Sequence, residues 1–93
     1  MATVVHHKSA RRFELAAGNH VAILEYERTG DGVMALTHTF VPEALRGQGV
    51  GLELVAGALA EIKQRHWKII PLCPFVVTYL RRHPEWNTLV VED

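Results

Sequence analysis

The run Arg46-Gly47-Gln48-Gly49-Val50-Gly51 has the residue types and spacing that point most directly to chemistry in this sequence. Its glycines let the backbone come close to a ligand, several N–H groups can converge on anionic oxygens, and Arg46 adds a charge-assisted bond. Beyond it, Val50, Leu54, Val55, Ala58, Leu59 and Ile62 fall on one helix face, with Glu53, Glu61, Gln64 and Arg65 mostly opposite. That periodicity predicts a helix from Gly49 to near His66. A helix opening from such a loop has unpaired N–H groups aimed at the ligand, so a phosphate-bearing guest is expected. A glycine-rich helix start of purely steric purpose is the plainer alternative. Two phosphate motifs are excluded: no Lys-Ser or Lys-Thr follows for a P-loop, and a dinucleotide fingerprint begun at Gly47 meets Leu52 where its third glycine belongs.

Two apolar runs must position this loop. Met34 to Pro42 precedes it and Ile69 to Cys73 follows the helix, which predicts strand, turn, helix, parallel strand. Upstream, Val4 to His6 and Arg12 to Ala16 read as an antiparallel pair, and Gly18-Asn19 as a turn. His20 to Glu27 is a further strand, and Thr29-Gly30-Asp31-Gly32 turns the chain into Val33 to Val41. Pro74 suits the first turn of a second helix carrying Phe75, Val76, Tyr79 and Leu80, which His83-Pro84 stops. Asn87 to Val91 reads as a short closing edge strand. The fold class expected is α+β: a mixed, mostly antiparallel sheet with a central βαβ unit, one domain over residues 1–93.

Composition narrows the partners. Apolar residues are 48% and charged residues 22%, an ordinary globular balance. Ten basic and ten acidic side chains cancel, so no long-range field draws in nucleic acid or an anionic membrane. Cys73 is the single cysteine, which fits a reducing compartment better than a small extracellular domain. Neither a signal-peptide core at Met1 to Lys8 nor a membrane-length apolar run is present, and a cytoplasmic location is expected. His6, His7, His20 and His66 lack ligand spacing, so no metal site is expected; Trp67 and Trp86 read as packing residues.

The pattern Arg46-x-x-Gly49-x-Gly51 resembles motif A of the GNAT superfamily of N-acetyltransferases. The likeness extends to Thr37-His38-Thr39-Phe40-Val41-Pro42 before the loop and to Pro71-Leu72-Cys73-Pro74-Phe75, Tyr79-Leu80 and His83-Pro84-Glu85-Trp86 after it. Together these resemble the very short Yjdj-type branch, over nearly the whole chain from Phe13. The resemblance implies a truncated GNAT-like fold and acetyl-CoA as cosubstrate. It places the CoA diphosphate on Arg46, Gly47, Gln48, Gly49, Val50 and Gly51, and the pantetheine along the strand from Met34 to Val41, touching Phe40 and Val41. Relative to the larger superfamily, the helices that normally cover the acceptor are missing, which implies an open acceptor site.

Acetyl transfer to an amine needs a deprotonated nucleophile, donors for the oxyanion and an acid for the leaving thiolate. Backbone N–H groups around Thr39 to Val41 are candidates for the oxyanion. Tyr79 stands where many members of the superfamily keep the acid; packing against Phe75 is its plainer reading. Cys73, at a strand end and helix start, is a candidate to accept acetyl transiently or to line the thioester pocket, against a simple buried thiol. His38 shares strand parity with Met34, Leu36 and Phe40 and is a candidate general base, against a hydrogen-bonded core histidine. Glu43 is a solvated alternative. Arg81 or Arg82 is a candidate for the nucleotide 3′-phosphate, against an exposed helix face. The activity expected is N-acetyl transfer to a primary amine, the acceptor being a small molecule or a protein amine. The competing expectation is a CoA-binding or regulatory module of the same fold with weak or no turnover.

Overall fold

A computed structural model describes residues 3–91, so Met1 and Ala2, where the targeting-signal reading began, lie outside the described residues. Five strands form one sheet in sequence order: β1 (Val4–His7), β2 (Arg12–Ala17), β3 (His20–Gly30), β4 (Val33–Phe40) and β5 (Lys68–Pro71). The first four are antiparallel, and β5 is parallel to β4. Two-residue turns at Gly18-Asn19 and Asp31-Gly32, with Gly18 and Gly32 at positive φ, close the β2–β3 and β3–β4 hairpins. Helix α1 (Val50–Gln64) makes the crossover from β4 to β5, and α2 (Pro74–Arg82) follows β5 with Pro74 in its first turn.

Both helices pack into a single core with one face of the sheet. Phe13, Leu15, Leu24, Tyr26, Met34 and Leu36 from the strands meet Leu54, Val55, Ala58, Leu59 and Ile62 of α1 and Val76 and Leu80 of α2. Gly57 is what lets α1 lie so close to the sheet, since a Cβ there would collide with the Val4 side chain. The helix ends in a Schellman arrangement: Trp67 N donates to Ile62 O, His66 N donates to Lys63 O, and His66 takes φ 61°. That reversal delivers the chain directly into β5.

The closing segment differs from the expected edge strand. Pro84–Leu89 winds as 3-10 turns, and only Val90 makes a single parallel bridge, to Ile69. Trp86 and Leu89 are three residues apart, and 3-10 winding puts such a pair on one side, here against the core. A strand would have alternated them away from each other.

A polar chain runs along the β1–α1 edge of this core. His6 Nδ1 contacts Glu61 Oε2 at 2.7 Å, His6 Nε2 contacts the Tyr26 hydroxyl at 2.6 Å, and Arg65 Nε donates to Glu61 Oε2 at 3.0 Å. The imidazole also stacks on Phe13 at 4.3 Å. Burial pushes the Tyr26 hydroxyl above its ordinary value of 10.0; Arg28, Arg11 and Arg65 oppose the rise and Glu61 reinforces it. The folded state therefore holds a proton that the unfolded chain has released, so stability is intact below the unfolded value and falls as pH rises through the folded one. Denaturant melts above about pH 10 are expected to show a decline that Tyr26→Phe flattens. A parallel decline in both proteins would contradict the assignment.

Candidate functional site

The site begins where the sheet comes apart. β4 and β5 pair only from Val33↔Lys68 to Leu36↔Pro71. There Leu36 O accepts from both Leu72 N at 3.1 Å and Cys73 N at 2.9 Å, and the chain then turns into α2. Among the described residues no strand lies beside β4 on the β5 side from Thr37 to Phe40, which opens the backbone groups on that side to a guest. Pro42 ends the strand, a short 3-10 turn (Glu43–Leu45) follows, and Arg46 to Gly49 lead into α1.

A β-bulge sets which side chains face this gap. Glu25 pairs with His38 but Tyr26 pairs with Leu36, so Thr37 is an extra residue on β4. The insertion inverts the side-chain parity expected for His38. With Phe40 it lies on the face opposite Met34 and Leu36, while Thr39, paired with Leu24, takes the core side. His38 is consequently exposed rather than held in the core.

The loop has the geometry its glycines allow. Gly47 and Gly49 take φ +80° and +78°, and a Cβ at either would project into open space. Gly49 is the N-cap of α1 and no side chain caps the helix there. The first N–H of α1 to find a helical acceptor is that of Glu53, bonded to Gly49 O, which leaves the amides before it available to an anion. Gly51 leaves room for its neighbours: a Cβ there would meet the ring tip of Phe75 at 2.7 Å and the Val41 side chain at 3.2 Å, so the Phe75 ring would have to shift. Arg46 Nε donates to Val41 O at 3.1 Å, tying loop to strand end. Gln48 Nε2 donates to Ala44 O at 3.0 Å and closes the loop on itself.

Together these residues border an open cavity of 740 Å³, lined from β4 by His38, Thr39 and Phe40 and from the loop by Arg46, Gly47 and Gly49. Val41, Val50 and Gly51 of the expected set line it as well. Leu45, Leu52 and Phe75 also line it and were missed at the sequence level; Phe75 had a signal in its place one residue after Pro74. Gln48 is not on the wall.

The three catalytic candidates do not converge. Only His38 lines the cavity. Cys73 is 4% exposed at the start of α2, its Sγ 3.2 Å from the Thr39 hydroxyl, so it sits behind Thr39 on the core side. Tyr79 is 7% exposed and stacks on His83 at 4.3 Å. It lines a second hollow of 370 Å³ with Arg82, His83 and Thr78, which meets the larger cavity at Leu52 and Phe75. Among the described residues no group of three His, Cys, Asp or Glu side chains is arranged to hold a metal, and no helix is long and apolar enough to cross a membrane.

A family profile described as GCN5-related N-acetyl-transferase matches residues 12–89. Protein NATD1 of Mus musculus is 32% identical over 83 residues, covering 87% of this chain and 76% of that protein. The NATD1 of Gallus gallus is 31% identical over the same shares. A GCN5-like protein from Staphylococcus aureus, determined in solution, superposes with a TM-score of 0.73 over 97% of this chain and 88% of that one, at 22% identity.

Proposed function

The chain belongs to the GCN5-related N-acetyltransferase family, and from that premise we propose that it binds acetyl-CoA beside β4 and moves the acetyl group to a primary amine by direct attack. The observation that carries this reading is the uncapped start of α1, with Gly47 and Gly49 both left-handed and open to the cavity. A diphosphate fits that cradle, because a Cβ at either glycine would take its space. Arg46 adds positive charge, and the gap along Thr37 to Phe40 suits the pantetheine, with Phe40 and Val41 against it. Bound acetyl-CoA supplies an activated thioester carbonyl.

The chain's own residues do the rest. His38, exposed at the cavity mouth, takes the proton from the incoming ammonium. The free amine nitrogen then forms the C–N bond as the C–S bond breaks, and the proton that this nitrogen sheds neutralises the departing thiolate. Backbone N–H groups from Thr39 to Val41 that the ladder with β3 leaves unbonded are suited to the oxyanion. Cys73, sealed behind Thr39, supports direct attack over transfer through an acetyl-cysteine. Its lone free thiol also suits a cytoplasmic location.

Tyr79 and Arg82 line one hollow, yet the thioester and the 3′-phosphate are at opposite ends of acetyl-CoA, so the hollow serves one of them. Its junction with the phosphate-binding turn at Leu52 favours the nucleotide end and Arg82. Arg82→Ala is expected to weaken CoA binding about fivefold in calorimetry, the loss of one partly screened charge contact. Tyr79→Phe is expected to keep turnover within about twofold, whereas losing a required acid costs on the order of 100-fold. A loss of that size in Tyr79→Phe would return the hollow to the thioester.

Titration with CoA and acetyl-CoA, followed by thiol release with a panel of amines, tests the proposal; an unmodified protein that binds neither ligand would sink it. A CoA-binding module with little turnover is the second reading, favoured by the separation of Cys73 and Tyr79 from the cavity mouth. Tight binding with no thiol release by any amine would select it.

A further inference from the structure

Resting on the transferase reading above, we infer that the acceptor amine is a lysine borne on a polypeptide segment that lies across the uncovered face of the sheet. The helices occupy the other face, and this one presents two cross-strand rows. Val5, Glu14, Ile23 and Phe40 form one; His7, Arg12, Glu25 and His38 form the other. Both rows end on β4 at residues that also line the cavity, so the bare face runs into the cavity mouth.

Charge on this face is selective. Glu14 is held by Arg12 at 2.6 Å and by His7 at 3.2 Å, and Glu27 by Arg11 at 3.0 Å. Among the described residues the Glu25 carboxylate has no such cation, and it stands directly opposite His38 in the ladder. An ammonium arriving at the mouth thus meets one uncommitted carboxylate beside the base.

The apolar part of the face decides between a free amine and a polypeptide. Phe40 is 45% exposed, Val21 41% and Val5 46%; Ile23 and the ion-paired Glu14 stand between Phe40 and Val5, so the apolar strip is Phe40, Ile23 and Val21 with Val5 beyond Glu14. The row from Phe40 to Val5 crosses three inter-strand steps, about 14 Å, which an extended chain of roughly four residues spans. A small amine with its nitrogen at His38 leaves this strip in water. A lysine flanked by apolar residues covers it while its side chain enters the mouth.

The test measures kcat/KM for thiol release with a lysine peptide carrying apolar flanks, with the same peptide carrying Ser and Gly flanks, and with N-acetyl-lysinamide. Acetyl-CoA affinity is measured in parallel. The apolar peptide is expected to exceed the lysinamide by about tenfold or more, roughly the gain from burying one exposed aliphatic side chain. Val21→Glu, far from the loop, should raise the KM for that peptide about tenfold with acetyl-CoA affinity retained. Glu25→Gln should raise KM for both lysine substrates. Equal kcat/KM for peptide and lysinamide, or an unmoved KM in a folded Val21→Glu, overturns the inference while leaving the transferase reading intact. Failure of the unmodified protein to bind acetyl-CoA removes both.

Discussion

Gly49→Glu is expected to weaken acetyl-CoA binding by at least about 100-fold, about 2.7 kcal/mol, in a protein that still folds. Two effects act together. Gly49 holds φ +78°, where an L-residue is strained by roughly 1–2 kcal/mol, so the start of α1 resists the change. The new side chain then projects into the cavity, because nothing lies within 4 Å of its Cβ, and brings a carboxylate to the place proposed for the diphosphate. Gly18→Glu is the matched control. Gly18 also has positive φ and open space, but it sits in the β2–β3 turn, so the strain recurs without a change in affinity. Gly49→Asn separates the two effects, since asparagine tolerates the left-handed region and carries no charge. Calorimetry on all three is decisive, and an unchanged Kd in Gly49→Glu would mean that the loop does not hold the diphosphate.

His6→Leu should cost about 3 kcal/mol of stability, a drop on the order of 15 °C in Tm for a domain of this size. The imidazole does three things at once. It partners the buried Tyr26 hydroxyl, it partners Glu61, and it stacks on Phe13. Leucine fills the volume but leaves the hydroxyl without a partner, which costs roughly 1–3 kcal/mol, and gives up the stacking and a hydrogen bond to a carboxylate. Glu61 is cushioned because Arg65 remains and the group is partly exposed. In a Tyr26→Phe background the orphaned hydroxyl is absent, so His6→Leu should cost markedly less there. Additive single and double variants would show that the chain from Glu61 to Tyr26 is not a coupled unit.

The two variants differ in how visible their targets are from the sequence. Gly49 is legible because the loop, the strand before it and the helix after it are contiguous, so spacing alone places three glycines at a helix start. The partners of His6 lie 20 and 55 residues away, and no periodicity relates them. The same contrast holds in the tail. Pro84 announced a stop, but the pairing of Trp86 with Leu89 depends on the core those residues meet.

His38 marks the boundary most clearly. Alternation assigned it the face of Met34 and Leu36, and that inference is sound for an unbroken strand. One unpaired residue, Thr37, reverses every side chain after it, because the period of a strand is two. The bulge thereby sent Thr39 to the core beside Cys73 and His38 to the open face beside Glu25.

What the sequence by itself determined was the side proposed for the donor: a βαβ unit, a glycine loop at a helix start, and the order of strands around them, all written in local spacing and hydrophobic period. What only the tertiary structure decided was the side proposed for the acceptor. The inversion at Thr37, the placing of Thr39 against Cys73 and, among the described residues, a sheet face on which Glu25 has no cation partner arise from registers between distant strands. Such registers are set by which residues the core accepts, and local sequence does not encode them.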